Sequence, residues 1–142
     1  MPSAEYSVTI DRPLHEVFAF VTTKENDPRW RPAVVEIERV SGEGTGARYR
    51  QLVKGPTGKA APADFEVTGL EPGKRYAFRT TSGPVQPEGS FEFAEEGGAT
   101  RVTFELNVEL KGKQKMMAPM VTKVMRSEVS NLDRLKTLLE SG

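Results

Sequence analysis

One carboxylate stands where an apolar residue is expected, and it is the strongest candidate for chemistry in the sequence. Glu128 falls between Met125 and Leu132 on the apolar side of a helical pattern near the end of the chain. A carboxylate in an apolar pocket has a raised pKa and can anchor a polar ligand or take up a proton. The alternatives are an ion pair with a strand arginine, such as Arg48 or Arg50, or a helix bend that brings the carboxylate to water. We expect Glu128 to line a cavity unpaired.

The cysteine and histidine content of the chain argues against several kinds of functional site. The chain has no cysteine, which excludes disulfides, thiolate catalysis and cysteine-based metal sites. His15 is the only histidine, so a histidine-rich metal site is impossible and a Ser-His-Asp triad is poorly supported. No cluster of carboxylates is evident, and we expect neither a metal ion nor another cofactor.

The charge balance argues against a nucleic-acid partner. Lys plus Arg and Asp plus Glu each number 20 among the 142 residues, whereas a nucleic-acid binder shows a basic excess. No apolar run approaches the roughly 18 residues of a membrane span, and the first residues lack the pattern of a signal peptide. We therefore expect one cytoplasmic domain, residues 1–142, without stable membrane insertion. The sequence leaves a monomer and a homodimer both open.

Glu128 belongs to the longest segment with helical periodicity, residues 113–140. At 1.5 Å per residue this helix would be about 40 Å long, and it needs a wide partner surface. Residues 111–140 also hold seven Lys or Arg and three acids. The simplest interpretation is a solvated face of the helix, and the alternative is a surface that docks to an acidic partner or a membrane. The apolar stripe of the helix consists of Met117, Val121, Val124, Met125, Leu132, Leu135 and Leu138.

A run of short strands supplies the partner surface. Consecutive strands on short turns form an antiparallel meander, and only the terminal helix is long enough to cover its apolar face. The glycine-rich segment 41–46 is a weak phosphate-binding motif, and a hairpin turn with positive φ explains it better. Alternation of apolar and polar residues predicts strands near residues 6–10, 34–40, 47–54, 63–70, 74–81, 91–93 and 102–110.

Two short helical segments are expected between the first and second strands. Asp11 and Pro13 favour the start of one helix, and residues 23–32 form a second helix or a turn. Trp30 is the only tryptophan. It either fills a gap between helices while its neighbouring arginines stay in water, or lies at the lip of a ligand pocket.

Several short motifs follow one another in a fixed order along nearly the whole chain. They are Ile10-Asp-Arg-Pro13, Glu16-Val-Phe-Ala-Phe-Val21, Trp30-Arg-Pro32, Gly44-x-Gly46, Glu71-Pro-Gly-Lys-Arg75 and Gly97-Gly-Ala-Thr-Arg-Val102. With this order of elements, the chain resembles the helix-grip proteins of the SRPBCC superfamily, which include START lipid-transfer domains, pollen-allergen-like proteins and bacterial polyketide cyclase/dehydrase proteins. Each motif alone is unspecific, and Ala99 stands where a third glycine is common.

The resemblance implies an α+β fold and a binding function. A curved antiparallel sheet of about seven strands would wrap around a long C-terminal helix, with two short helices after the first strand. A cavity between the sheet and the long helix would take an apolar small molecule. The resemblance does not imply one chemistry, because one fold hosts many functions.

Alternation along the strands selects the side chains that would line this cavity. On the strand at 47–54 we favour Tyr49, Gln51 and Val53 as the inward set, because the other set would bury two guanidinium groups. Pockets are mostly apolar with a few placed polar groups, and Tyr76 and Thr80 are further candidates for these. The predicted ligand-binding residues are Trp30, Tyr49, Gln51, Tyr76, Phe78, Phe91, Phe93, Phe104, Met117, Val121, Val124, Met125 and Glu128.

Three functions fit the sequence. The first is a binding protein for a hydrophobic, lipid-like or polyketide/aromatic small molecule. The second is a metal-free enzyme of the polyketide cyclase/dehydrase kind, in which Glu128 is the candidate catalytic residue. The third is a non-catalytic interaction module whose interior is filled. Polar groups within hydrogen-bond reach of each other favour the enzyme, an all-apolar cavity favours a carrier, and a filled interior favours the module.

Overall fold

The computed structural model describes residues 2–55 and 57–142, which form one antiparallel sheet and a set of helices. The helices after the first strand are α1 (Leu14–Thr22) and a 3₁₀-helix (Lys24–Arg29), and the C-terminal helices are a second 3₁₀-helix (Gly112–Met117), α2 (Ala118–Val129) and α3 (Leu132–Ser141). The strands are β1 (Ser3–Ile10), β2 (Val34–Ser41), β3 (Arg48–Lys54), β4 (Ala60–Pro62), β5 (Phe65–Glu71), β6 (Arg75–Thr80), β7 (Glu88–Glu96) and β8 (Ala99–Asn107).

The sheet is a meander that the first strand joins from the far end. Its order is β1-β8-β7-β6-β5-β3-β2, and β4 pairs with β3 outside this path. All pairings are antiparallel. Because β1 pairs with β8, the first and last strands of the chain are neighbours in the sheet. The C-terminal helices begin shortly after β8. The predicted helix-grip fold is confirmed.

The glycine-rich turn between β2 and β3 behaves as its sequence predicts. Gly42, Gly44 and Gly46 all have positive φ, at 77°, 61° and 93°, which side chains with a Cβ rarely adopt. The inward face of β3 is also as predicted, since Tyr49 and Gln51 are buried while Arg48 and Arg50 are exposed. The short strand β4 was not predicted, because three residues ending in a proline carry no periodicity.

The C-terminal segment is not one straight helix. It is interrupted at Ser130 and Asn131, between α2 and α3. The hydroxyl of Ser130 donates to the carbonyl of Ser127 at 2.7 Å, and the amide of Asn131 bonds Glu128 rather than the residue four back. A serine hydroxyl competes with the helical hydrogen-bond pattern in this way, and the three-residue spacing of the Asn131 amide bond tightens the chain at the interruption.

The core lies between the concave face of the sheet and the helices. Val121 and Met125 on α2 and Leu132 and Leu135 on α3 are buried, as the helical stripe predicts. Val129, at the flank of the stripe, is buried too, whereas Val124, within the stripe, is 42% exposed. From the sheet, the largest fully buried side chains are Phe91, Phe104, Ile10, Val67 and Val102. Beside one part of α2 this packing is incomplete, and the candidate site is found there.

Candidate functional site

A cavity of about 290 Å³ lies between α2 and the sheet. Since one water occupies about 30 Å³ in the liquid, the space equals roughly ten waters. Its volume lies near the lower end of the roughly 300–1,000 Å³ that is usual for small-molecule sites. It is lined by Arg31, Gln51, Val53, Ala63, Phe78, Thr80, Pro84, Val85, Pro87, Phe104, Leu106, Met117, Met120, Val121, Val124, Met125 and Glu128.

The floor of the cavity depends on one glycine. Gly89 on β7 is paired with Phe78 on β6 and with Leu106 on β8. A Cβ at this position would lie 2.4 Å from Cζ of Phe78 and 2.8 Å from Cδ2 of Leu106. Because Gly89 has no side chain, the two neighbouring side chains can fold over it and form an apolar surface under the cavity.

The mouth of the cavity lies between α2 and the loop that joins β6 to β7. Met120 and Val124 line the cavity and are also exposed to solvent. Pro84 and Val85 from the loop lie on the other side. An apolar molecule can therefore reach the interior without passing buried charges.

The opposite end of the cavity is polar and centred on Arg31, which follows the first 3₁₀-helix. Nε of Arg31 donates to Oε1 of Glu128, and Nη1 donates to Oδ2 of Asp27 at 2.8 Å and to Oε1 of Gln51 at 3.2 Å. The amide of Gln51 in turn donates to the carbonyl of Ala63 at 3.0 Å. Arg31 is therefore held by two carboxylates and one amide at the wall of an apolar cavity.

A buried ion pair supports Arg31 from behind. Asp27 is fully buried, and its Oδ2 also lies 3.1 Å from Nζ of Lys24, which is 2% exposed. Nζ of Lys24 lies over the rings of Tyr76 and Phe91, at 5.0 and 4.8 Å from their centroids. Burial lowers the pKa of Lys24, although Asp27 opposes the shift.

The four charges of this cluster balance. Lys24 and Arg31 supply two positive charges, and Asp27 and Glu128 supply two negative charges. Burial acts to lower the pKa of Arg31, but the carboxylates of Glu128 and Asp27 outweigh it and raise the pKa overall. The guanidinium stays charged, so it offers a permanent hydrogen-bond donor to the cavity.

The local sequence explains why three of these charges meet. Lys24, Asp27 and Arg31 are spaced by three and four residues, the spacing that places side chains on one face of a helical turn. The amide of Arg31 also bonds the carbonyl of Asp27 at 2.7 Å, which continues the turn. This spacing is visible in the sequence, but one of the two interpretations of Trp30 left its neighbouring arginines in water. For Arg31 that part of the interpretation is wrong, because carboxylates neutralise it inside the fold.

The prediction that Glu128 is unpaired is also wrong. Its partner is Arg31, 97 residues away in the sequence, and not Arg48 or Arg50. Arg48 and Arg50 point to the outer face, where they pair with Glu66 and Glu38. Glu128 does line the cavity, and it lies two residues before the helix break.

The predicted ligand-binding residues divide into two groups. Those in the first group line the cavity, and those in the second group lie elsewhere in the core. The first group is Gln51, Phe78, Phe104, Met117, Val121, Val124, Met125 and Glu128. The second group is Trp30, Tyr49, Tyr76, Phe91 and Phe93.

The second group fills the part of the core behind the polar cluster. Trp30 packs edge-on against Phe91, with ring centroids 6.1 Å apart, so it fills a gap and does not form a pocket lip. Tyr49 stacks on Phe65 at 4.9 Å, and Phe93 packs against Phe18 at the same distance. These side chains face inward as predicted, but they lie where α1 and the first 3₁₀-helix close the sheet.

Tyr76 is buried in this region as well, and its hydroxyl makes no hydrogen bond to any described residue. Burial raises its pKa above the ordinary tyrosine value. Phe91 borders only a small void of about 20 Å³, which shares Arg31 and Gln51 with the main cavity. Neither residue borders the main cavity.

Sequence reasoning missed several cavity residues. Val53 was placed on the inner face of its strand but was left out of the predicted ligand-binding residues. Ala63, Leu106, Met120 and the loop residues 84, 85 and 87 were not selected. Strand alternation does signal Val53 and Leu106, whereas nothing in the pattern shows which loop folds over the cavity. Thr80 was considered as a polar candidate, and it lies at the cavity wall.

Within residues 2–55 and 57–142, no three His, Cys, Asp or Glu side chains lie close enough together to hold a metal ion. In the same ranges, no helix is both long and apolar enough to cross a bilayer.

Comparison with known proteins places this geometry in context. A family model described as polyketide cyclase / dehydrase and lipid transport matches residues 1–140. No curated protein matches the chain in sequence.

Solved structures share its fold. A protein from Thermus thermophilus is 24% identical with a TM-score of 0.83, and the match covers 99% of this chain and 100% of that one. A START superfamily protein from Mycobacterium smegmatis is 18% identical with a TM-score of 0.79, covering 98% and 94%. The di-domain ARO/CYC StfQ from the steffimycin biosynthetic pathway is 13% identical with a TM-score of 0.79, covering 95% of this chain and 49% of that one.

Proposed function

Because this chain belongs to the polyketide cyclase/dehydrase and lipid transport family, we propose that it binds, in the cytoplasm, one hydrophobic small molecule in the cavity between α2 and the sheet. The single observation that supports this function most strongly is the cavity of about 290 Å³ itself. A space of this size favours ligand binding over an interaction module with a filled interior.

The chemistry of the lining defines the class of ligand. Phe78, Phe104, Leu106 and the α2 side chains offer an apolar surface for a ring system or an acyl chain. At the polar end, Nη2 of Arg31 and Oε2 of Glu128 make no hydrogen bond to any described residue. A ligand with an apolar body and one carbonyl or hydroxyl group would match both parts of the cavity.

Dye displacement and native mass spectrometry test this proposal. We expect an environment-sensitive apolar dye to bind with a stoichiometry near one, and fatty acids, sterols or aromatic polyketides to displace it. Native mass spectrometry of the purified protein would show the mass of any ligand that remains bound. Absence of saturable binding across this panel would contradict the proposal.

Two alanine-to-leucine variants test whether the dye binds in the cavity. Ala63→Leu adds apolar volume to the cavity wall, and we expect it to weaken dye binding at least tenfold. Ala60→Leu makes the same chemical change at an exposed position on β4 and should leave binding unchanged. Equal binding by the wild type and both variants would place the dye outside the cavity.

A metal-free enzyme is the second candidate, and the cluster of Arg31, Gln51 and Glu128 is the observation that favours it. In this mechanism the carboxylate of Glu128 takes a proton from the carbon next to a ligand carbonyl, and the Arg31 guanidinium stabilises the enolate oxygen that forms. The test is exchange of that proton with deuterium from the solvent, in a bound β-dicarbonyl compound. Exchange that is equally fast with Glu128→Gln would contradict the enzyme proposal and leave the binding function intact.

A further inference from the structure

Three apolar side chains on the C-terminal helical segment point into solvent. Met116, Met120 and Val124 recur every four residues and have exposed fractions of 84%, 43% and 42%. We call these three residues the methionine strip. Met120 and Val124 also line the mouth of the cavity, so the strip continues the apolar interior out to the surface.

The same segment concentrates positive charge. The whole chain has a net charge of zero, yet residues 110–127 contain five cations and no acid. None of the five takes part in an ion pair with a described residue. They are Lys111, Lys113, Lys115, Lys123 and Arg126.

Two acids from neighbouring segments approach one end of this row. Glu88 and Glu109 share a surface groove with Lys111. At the other end, Glu5 and Glu105 share a groove with Arg126. We therefore assign the unbalanced charge to Lys113, Lys115 and Lys123, all of which are exposed.

From this combination we infer that the methionine strip and its flanking cations dock onto the surface of an anionic lipid bilayer. Exposed apolar side chains next to lysines suit an interface in which acyl chains lie directly beneath negative headgroups. Methionine adapts to an irregular, fluid surface because its side chain is unbranched and flexible.

Continuity with the cavity favours a bilayer over an acidic protein as the partner. A ligand that leaves the acyl layer past Met120 and Val124 would enter the cavity without crossing water. This argument rests on the proposed function, since it assumes an apolar ligand. The docking itself requires only the exposed surface.

Vesicle cosedimentation tests the inference on the full chain without any ligand. The probes are vesicles of phosphatidylcholine alone and vesicles in which about one third of the lipid is phosphatidylglycerol. We expect binding to the anionic vesicles at low salt, weaker binding at about 0.15 M salt, and little binding to the neutral vesicles. No binding to the anionic vesicles at low salt would overturn the inference.

Matched charge reversals locate the surface. Each cation close to an anionic bilayer contributes about fivefold to binding, so Lys113→Glu with Lys123→Glu should weaken it by at least about 25-fold. Lys74→Glu with Arg134→Glu changes the net charge equally at exposed positions outside the segment, and should weaken binding much less. An equal loss in both double variants would indicate non-specific attraction and overturn the inference.

Met116→Gln tests the apolar part of the surface. Met116 does not line the cavity, so this change should weaken vesicle binding several-fold and leave dye binding unchanged. Soluble poly-glutamate that binds as tightly as the vesicles and does not respond to Met116→Gln would assign the surface to an acidic protein instead.

The two proposals can fail separately. If a dye binds in the cavity but no vesicle is bound, the docking inference is wrong and the proposed function stands. If vesicles are bound but no apolar molecule enters the cavity, the proposed function is wrong and the docking surface stands.

Discussion

Arg31→Met should be the most damaging single change at the polar end of the cavity. The substitution keeps an unbranched side chain that matches the stem of arginine and removes the guanidinium. Oδ2 of the fully buried Asp27 would then retain only Lys24, and Glu128 would lose the one ion pair it forms with a described residue. Removing one partner of a buried ion pair costs about 3–5 kcal/mol, because the remaining charge stays in a poorly solvated site.

The size of the effect can be compared with two weaker changes. Glu128→Gln keeps the shape and an acceptor oxygen for Arg31, and Arg31 retains Asp27, so a loss of about 1 kcal/mol is expected. Arg29→Met is the matched control. Arg29 is exposed and contacts the Phe20 ring, at 5.3 Å from the centroid, and its loss should cost no more than about 1 kcal/mol.

Urea denaturation followed by circular dichroism measures these differences. With an m value of about 2 kcal/mol per molar urea, a loss of about 3–5 kcal/mol lowers the midpoint by about 1.5–2.5 M. The double variant Arg31→Met with Glu128→Gln completes a double-mutant cycle, in which a contacting pair shows a coupling of about 0.5–3 kcal/mol. A coupling near zero, or an Arg31→Met cost no larger than that of Arg29→Met, would refute the pairing on which the polar end depends.

Two further substitutions test the packing around the cavity. Tyr76→Phe removes a buried hydroxyl that no described residue bonds, and it should stabilise the protein by about 1 kcal/mol. Burial raises the folded-state pKa of Tyr76 above the ordinary value of 10.0, so the hydroxyl loses its proton at a lower pH in the unfolded state than in the folded state. As pH rises past 10, this proton loss stabilises the unfolded state. The unfolding free energy of the wild type should therefore fall relative to that of the variant. Urea titrations at about pH 8 and about pH 10.5, on either side of the ordinary tyrosine pKa, check both effects, and a difference that does not change with pH would mean that the hydroxyl reaches water. Gly89→Ala places a Cβ against Phe78 and Leu106 and should cost about 1–3 kcal/mol while changing dye affinity; an unchanged midpoint and affinity would show that the cavity floor is not tightly packed.

Much of the fold follows from patterns that involve only neighbouring residues. Strict alternation in residues 102–107 selects the inner face of β8, and three glycines with positive φ make the turn after β2. Repeated apolar residues in α2 and α3 mark the side that packs on the sheet. Such patterns are readable because each depends on the period of one strand, turn or helix.

The candidate site depended on contacts that no local pattern contains. Glu128 was identified by its position in an apolar stripe, but its partner Arg31 comes from a turn 97 residues earlier in the chain. The periodicity of α2 cannot indicate which segment will fold against it. The charge state and the environment of Glu128 follow from that contact.

Long-range contacts also decided which inward-facing residues of a strand line the cavity. Phe78 and Tyr76 lie on the same strand and neither was distinguished by sequence pattern, yet one lines the cavity and the other is buried behind it. Periodicity tells on which face of a strand a side chain lies, and the inward set on β3 was correct for that reason. It does not tell which covering element lies above each position. By itself, the sequence determined the strands other than β4, the turns, most of the helical stripe and the family. The tertiary structure decided where the helices leave a gap over the sheet, because that gap depends on how segments far apart in the chain pack together.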